Sequence, residues 1–196
     1  VLEGFKKHTH IQKLYSLDKC NNFSELESWI DGINKTYGNQ TYTLEYKFDG
    51  LQMTITYENG EFVSAATRGN GYVGEDVTNQ VLTIKSVPLR INYKQKIVVQ
   101  GEVTGSRNLS MFFYGIPYIE GKKFSTHTEL MQFLKDNGFP VYDYFKVENS
   151  TQKIEEDITT IDKTKKNFDI LIDGVVIKVN DFKVRDKLGY TSKFPK

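Results

Sequence analysis

Hydrophobic and polar positions change their period several times along the chain, and each change predicts an element. From Ser24 onward, Leu26, Trp29, Ile30 and Ile33 recur on one face of an α-helix, with Ser24 and Glu27 placed as a capping box and Tyr37-Gly38 as the end. Tyr42 to Phe48 then alternates with period two. Leu51, Met53, Ile55 and Tyr57 do the same, and Glu58-Asn59-Gly60 supplies a turn before Glu61 to Thr67, which predicts an antiparallel hairpin. Asp49-Gly50 lets the chain bend between the first two strands. Ile97 to Val103 and Met111 to Tyr114 read as strands. About Thr126 to Asn137 reads as a second amphipathic helix, with Leu130, Phe133 and Leu134 on its apolar face and Gly138 as its stop. Pro140 to Val147 predicts a strand and Thr151 to Lys165 a helix carrying Ile154, Ile158 and Ile161. Ile170 to Val179 predicts a β-branched strand broken at Asp173-Gly174. Val1 to Cys20 reads as loop and short extended segments. The chain closes on a basic tail, Lys183, Arg185, Lys187, Lys193 and Lys196, read as a solvated face. Helices among antiparallel strands make the fold class α+β.

Composition narrows the chemistry. With 196 residues, 38% hydrophobic and 26% charged, the chain suits one globular domain, or at most one large and one small lobe. Lysine and arginine total 26 against 25 acids, so no global field draws in nucleic acid, and any such contact must use local patches. The one cysteine, Cys20, excludes an intrachain disulfide and a cysteine-based zinc cage. His8, His10 and His127 are too scattered for a metal site and read as surface or core imidazoles. No apolar run has membrane-spanning length and Val1 to His10 lacks a signal-peptide pattern, which points to a cytoplasmic protein without a membrane partner.

Glu45-Tyr46-Lys47-Phe48-Asp49-Gly50 stands apart from these packing patterns. In an extended segment Glu45, Lys47 and Asp49 share one face, while Tyr46 and Phe48 face the other way. A lysine held between acids becomes a nucleophile once it loses its proton; the same pattern also fits a solvent-facing ion-pair ladder. Residues 67 to 78, Thr-Arg-Gly-Asn-Gly-Tyr-Val-Gly-Glu-Asp-Val-Thr, contain a literal G-x-G-x-x-G. A dinucleotide fold needs a parallel β-α-β unit and an acid about 20 residues on. Here the strand before belongs to a hairpin, and Tyr93-Lys94-Gln95-Lys96 supplies no acid. Two readings stay open, a glycine-rich loop bringing Arg68 near a phosphate and a tight turn.

Five motifs now stand in order: Lys47-Phe48-Asp49-Gly50, Thr67-Arg68-Gly69, Gly101-Glu102, Phe113-Tyr114-Gly115 and Asp173-Gly174-Val175-Val176-Ile177-Lys178. Together they resemble the adenylation (nucleotidyltransferase) domain of the bacterial-type NAD-dependent DNA ligases. The likeness covers nearly the whole chain, including Leu14 to Asp18 and the closing Leu188-Gly189-Tyr190-Thr191-Ser192, and residues 67 to 78 are its most specific part. It implies the nucleotidyltransferase fold, antiparallel sheets packed with helices, with adenosine held near Lys47. It further implies that Lys47 attacks the α-phosphorus of NAD, releases nicotinamide mononucleotide and keeps AMP, with Mg2+ in attendance. By the same resemblance Glu45 reads the adenine amine, Asp49 orients Lys47 or the ribose, and Arg68 and Lys178 hold ribose or phosphate. Glu102 contacts ribose, Tyr114 stacks on adenine, Ser16 and Leu17 touch the nucleotide's edge, and Asp173 lies near the phosphate and its magnesium. A free lysine has a pKa near 10.4, and ionised Glu45 and Asp49 would raise it, so both acids are expected to be engaged elsewhere.

Departures from the family accompany the likeness. Asn70 stands where the family carries aspartate, and Gln100 where arginine precedes Gly-Glu. A long segment between the Gly-Glu strand and the aromatic strand is absent, Val103 passing to Arg107 through Thr104-Gly105-Ser106, by natural deletion or engineered shortening. Residues 1–196 read as the adenylation domain alone, without the N-terminal nicotinamide-mononucleotide-binding domain or the C-terminal OB, zinc and helix-hairpin-helix domains. As part of a complete ligase the domain would act on nicked duplex DNA; alone it is expected to bind AMP but react poorly with NAD. A non-catalytic nucleotide- or nucleic-acid-binding module that kept the fold is the alternative. An ATP-dependent ligase or RNA-capping relative comes third.

Overall fold

The computed structural model describes residues 4–105 and 107–189. In chain order the elements are β1 (Lys7–Thr9), α1 (Phe23–Tyr37), β2 (Tyr42–Phe48), β3 (Leu51–Glu58), β4 (Glu61–Thr67), β5 (Val73–Glu75) and α2 (Thr78–Val81). There follow β6 (Ile97–Thr104), β7 (Ser110–Ile119), α3 (His127–Asp136), β8 (Phe145–Glu148), α4 (Thr151–Thr164), a 3-10 turn (Lys165–Asn167), β9 (Ile172–Val179) and α5 (Phe182–Leu188). They form two compact units. The first takes in the described parts of Val1–Leu14, Gly50–Lys123 and Glu129–Tyr142; the second comprises Tyr15–Asp49, Phe124–Thr128 and the described part of Asp143–Lys196.

The first unit is built on an antiparallel four-stranded sheet in the order β4-β3-β6-β7, with a two-stranded β1-β5 sheet. The predicted hairpin is β3 and β4, and Asn59 (φ 51°) and Gly60 (φ 75°) give its turn the left-handed residues that a tight hairpin needs. β7 is longer than the expected Met111 to Tyr114, because an edge strand tolerates both Pro117, which has no N–H to donate, and the register shifts opposite Val98 to Gly101. The G-x-G-x-x-G run joins β4 to β5 as a tight turn, with no β-α-β unit. Gly69 has φ 58°, and a Cβ there would lie 2.0 Å from the Val73 carbonyl oxygen. Asn70 Oδ1 accepts the backbone N–H groups of Tyr72 (2.9 Å) and Val73 (2.8 Å) and so braces the turn.

The second unit carries β8-β2-β9, antiparallel throughout, with α1, α4 and α5. Tyr42 and Leu44 of β2 pack with Leu26, Ile30 and Ile33 of α1, Ile154 of α4, Val179 of β9 and Val184 of α5 into one core, which Trp29 and Ile158 flank. Three expectations need correction here. α1 starts before Ser24, because Asn22 takes the capping role, its Oδ1 accepting Glu25 N–H at 2.9 Å. The strand expected over Pro140 to Val147 is confined to β8, since β2 offers partners only to residues 145–148. The basic tail begins as a helix: Asp181 Oδ1 caps α5 through Lys183 N–H and Val184 N–H, while Val184 and Leu188, four apart, face the core. Lys193, Lys196 and the Tyr190-Thr191-Ser192 part of the closing motif lie outside the described residues.

Candidate functional site

Two side-chain clusters of the second unit follow from the register of β2 against β9. Thr43 lies opposite Lys178, Glu45 opposite Val176 and Lys47 opposite Gly174, so the odd-numbered residues of β2 share a face with Lys178. Between Lys47 and Phe48 the partner jumps from Gly174 to Ile172, which leaves Asp173 as a bulged residue on β9. Asp173 then chelates the Lys47 ammonium, with Oδ1 at 2.9 Å and Oδ2 at 2.8 Å. The Asp173-Gly174 irregularity read from sequence is therefore this bulge, and β9 continues through it. Lys47 and Asp173 are 48% and 46% exposed, so their pairing is weak and easily exchanged.

The second cluster is buried. Glu45, 7% exposed, accepts at Oε1 from His127 Nε2 (2.5 Å) and Lys178 Nζ (3.4 Å). Burial alone would raise the Glu45 pKa, but the Lys178 ammonium and the His127 hydrogen bond overcome it and hold the carboxylate at about 2. Burial, reinforced by Lys178, lowers His127 to about 4. Lys178 is itself lowered, first by burial and then by Arg185, against the pull of Glu45. Near neutrality the cluster thus holds one carboxylate, one ammonium and one neutral imidazole. His127 Nδ1 is buried without a hydrogen-bond partner among the described residues, as befits a bare lone pair.

The start of α3 is fixed to the end of β9. His127 N–H donates to Asn180 O at 2.9 Å, Thr128 N–H and Oγ1 donate to Asn180 Oδ1 at 3.1 Å each, and Phe182 N–H donates to Ser125 O. These contacts bring an imidazole 82 positions along the chain onto Glu45. Sequence reading missed it, although His127, Leu130, Met131 and Leu134 share helical spacing, and a polar ring on a buried stripe requires a partner.

Other expected residues are more dispersed. Asp49 does not extend the strip: β2 ends at Phe48, Asp49 is exposed with its N–H on Leu171 O, and the carboxylate on Lys47 is that of Asp173. Ser16 and Leu17 lie in the irregular segment before α1, Leu17 about half exposed. In the first unit, Tyr114 Oη donates to Glu102 Oε2 at 2.9 Å across β6 and β7. Arg68 opens the glycine turn, where its carbonyl oxygen receives Gly71 N–H (3.1 Å) and lies 3.0 Å from His10 Nε2. Among the described residues no group of three His, Cys, Asp or Glu could hold a metal ion, and no helix is long and apolar enough to cross a membrane.

The chain has relatives among the DNA ligases. The chain is 41% identical over 236 residues to a DNA ligase of Alkaliphilus oremlandii and 39% over 234 residues to that of Alkaliphilus metalliredigens. A "DNA ligase 2" of Clostridium acetobutylicum is 36% identical over 244. Each alignment covers all of this chain but 36% of the relative, so the chain spans about a third of their length. By fold it is similar to an archaeal ATP-dependent RNA ligase (TM-score 0.61, 16% identity, 88% of this chain and 46% of that one). It is also similar to a mycobacterial DNA ligase D complexed with ATP and MES (TM-score 0.50, 14% identity, 74% and 50%). These likenesses place it among ligase nucleotidyltransferase folds. The family described as "NAD-dependent DNA ligase adenylation domain" matches in two stretches, residues 2–106 and 102–196, and to that family the chain belongs.

Proposed function

We propose that this chain is the adenylate-accepting part of an NAD-dependent DNA ligase and that Lys47 is its nucleophile. The observation that carries the reading is the division of the acids. Glu45 is engaged by His127 and Lys178, whereas Lys47, the last residue but one of β2, is half exposed and, among the described residues, carries the bulged Asp173 alone on its amine. The amine first sheds its proton to solvent. Its lone pair then forms an N–P bond to the adenylate phosphorus of NAD, and the P–O bond to nicotinamide mononucleotide breaks with its electrons on the departing oxygen. Lysyl-AMP remains. For this Lys47 must leave Asp173, an exchange made easy by the exposure of both groups.

Mg2+ keeps most of its water and takes one or two carboxylates together with substrate phosphates, so lone Asp173 fits an ion that arrives with the nucleotide. Such an ion supplies charge neutralisation at the phosphates. Lys178 and Glu45 are proposed to serve phosphate and adenine, and Asp49, Ser16 and Leu17 the ribose and the nucleotide's edge. Arg68, Glu102 and Tyr114 of the first unit are proposed as nucleotide contacts by resemblance. Nick sealing in duplex DNA is proposed for the longer protein. The connection from Val103 to Arg107 is read as a shortened segment. The two-stretch family match and alignments longer than 196 residues support that reading.

Calorimetry of the chain with AMP, then intact mass after incubation with NAD and Mg2+, tests the proposal. Expected are saturable AMP binding and slow gain of one adenylate at Lys47, with binding kept and the mass gain abolished in Lys47→Ala. Absence of AMP binding, or a mass gain that survives Lys47→Ala, overturns it.

A further inference from the structure

Glu45 receives both of its hydrogen bonds on Oε1; Oε2 has none among the described residues. A carboxylate free to turn would exchange its oxygens, but two donors converging on one oxygen from different elements, α3 and β9, fix its plane. We propose that His127 is the positioning residue that locks the Glu45 carboxylate with Oε2 presented to an N–H donor of the bound nucleotide, and so sets the choice of an amino-bearing base over its oxo counterpart. This rests on the adenylate reading above.

The ring is suited to the task because it orients without adding charge. Its Nε2 faces a carboxylate, which only accepts, so the proton sits on Nε2. Nδ1 is buried without a partner among the described residues; a cationic ring would strand an N–H there, which disfavours the charged form. Among the described residues Lys178 is then the one cation on Glu45, and Oε2 keeps its strength as an acceptor. A lysine or arginine in place of His127 would neutralise the carboxylate twice. The ring itself cannot drift: it is 2% exposed, its backbone N–H is on Asn180 O, and the next residue is held twice by Asn180 Oδ1.

The readout is the ratio of dissociation constants for IMP and AMP, which differ only at the base edge, so a general loss of stability leaves it unmoved. Wild type should prefer AMP by about 10²-fold or more, because an oxo group opposite Oε2 leaves two acceptors facing each other. His127→Phe, which fills the space without a donor, should compress the ratio at least about tenfold, and His127→Gln, which returns an N–H near the Nε2 position, should restore it. In parallel, ¹⁵N spectra of the wild-type imidazole should show the neutral Nε2–H form at pH 7, with Nε2–H moved more by AMP than by IMP. If wild type binds neither nucleotide, the adenylate reading falls and this inference with it. If wild type prefers AMP but His127→Phe keeps the ratio, or the ring carries its proton on Nδ1, or AMP and IMP bind alike, only the role of His127 is overturned.

Discussion

Removing Lys178 should cost more stability than removing the ion pair to which it belongs. The Lys178 side chain is 14% exposed and its ammonium lies 3.4 Å from the carboxylate of Glu45, a buried residue. Lys178→Met keeps most of the stem and deletes the charge, which leaves Glu45 ionised in a buried place with a neutral imidazole as its remaining donor. Glu45 is held at about 2 against an ordinary 4.5, an advantage of the charged form worth about 3 kcal/mol, with Lys178 the largest favourable contributor. Loss of one partner of a buried pair costs roughly 3–5 kcal/mol, so a penalty of about 3 kcal/mol is expected at pH 7. Glu45→Gln with Lys178→Met removes both charges and keeps an acceptor for His127, and should lie within about 1 kcal/mol of wild type. Urea denaturation of the four proteins of this cycle measures both quantities, with equal m-values as the check on the comparison. A Lys178→Met penalty below about 0.5 kcal/mol, or single-mutant costs that simply add, would show that water already screens Glu45 and would refute the argument.

Acid should weaken the fold in two overlapping steps. His127 lies at about 4 when folded against 6.5, so the stability tied to its neutral form is complete above pH 6.5 and lost as pH falls through 4; the Glu45 contribution is complete above 4.5 and lost toward 2. Denaturation midpoints from pH 7 to 3 report it, and His127→Gln should flatten the upper step. Asn22→Ala should cost about 1 kcal/mol by removing the α1 cap, while Ser24→Ala should cost less than about 0.5 kcal/mol, as urea titration will measure. Gly74→Ala should damage the first unit, since its Cβ would meet the Thr67 carbonyl oxygen at 1.9 Å; loss of amide protection at Thr67 to Glu75 in hydrogen exchange checks this.

What could be read from the sequence depended on how far apart the cooperating residues lie. β2, the β3–β4 hairpin and α4 follow from local period, and the turn at Asn59-Gly60 from the backbone demands of those two residues. Withdrawal of Glu45 from Lys47 was also foreseeable, since an ionised neighbour opposes a nucleophilic amine, and the structure supplies the partners that withdraw it. Period two puts Asp49 on one face with Glu45 and Lys47, but β2 stops at Phe48, and the bulge that brings Asp173 to Lys47 is invisible to such counting. His127 was passed over because its meaning arises at the junction of α3 with Asn180, 53 residues away by number. α5 was hidden by its cations, which lie outside a stripe of only Val184 and Leu188.

The extra residue on β9 has an arithmetic consequence. Asp173 and Lys178 are five positions apart, an odd interval that a regular strand would send to opposite sides of the sheet. The inserted residue cancels that parity, so an acid and a base from one short strand can serve the same side, one at Lys47 and the other at Glu45. Deleting one residue between them would leave an even interval that a regular strand already sends to one side, whereas deletion with the bulge retained would turn either Asp173 or Lys178 toward the layer beneath α1 and α4. The spacing of these two residues is therefore tied to the kink, and neither can change length without the other.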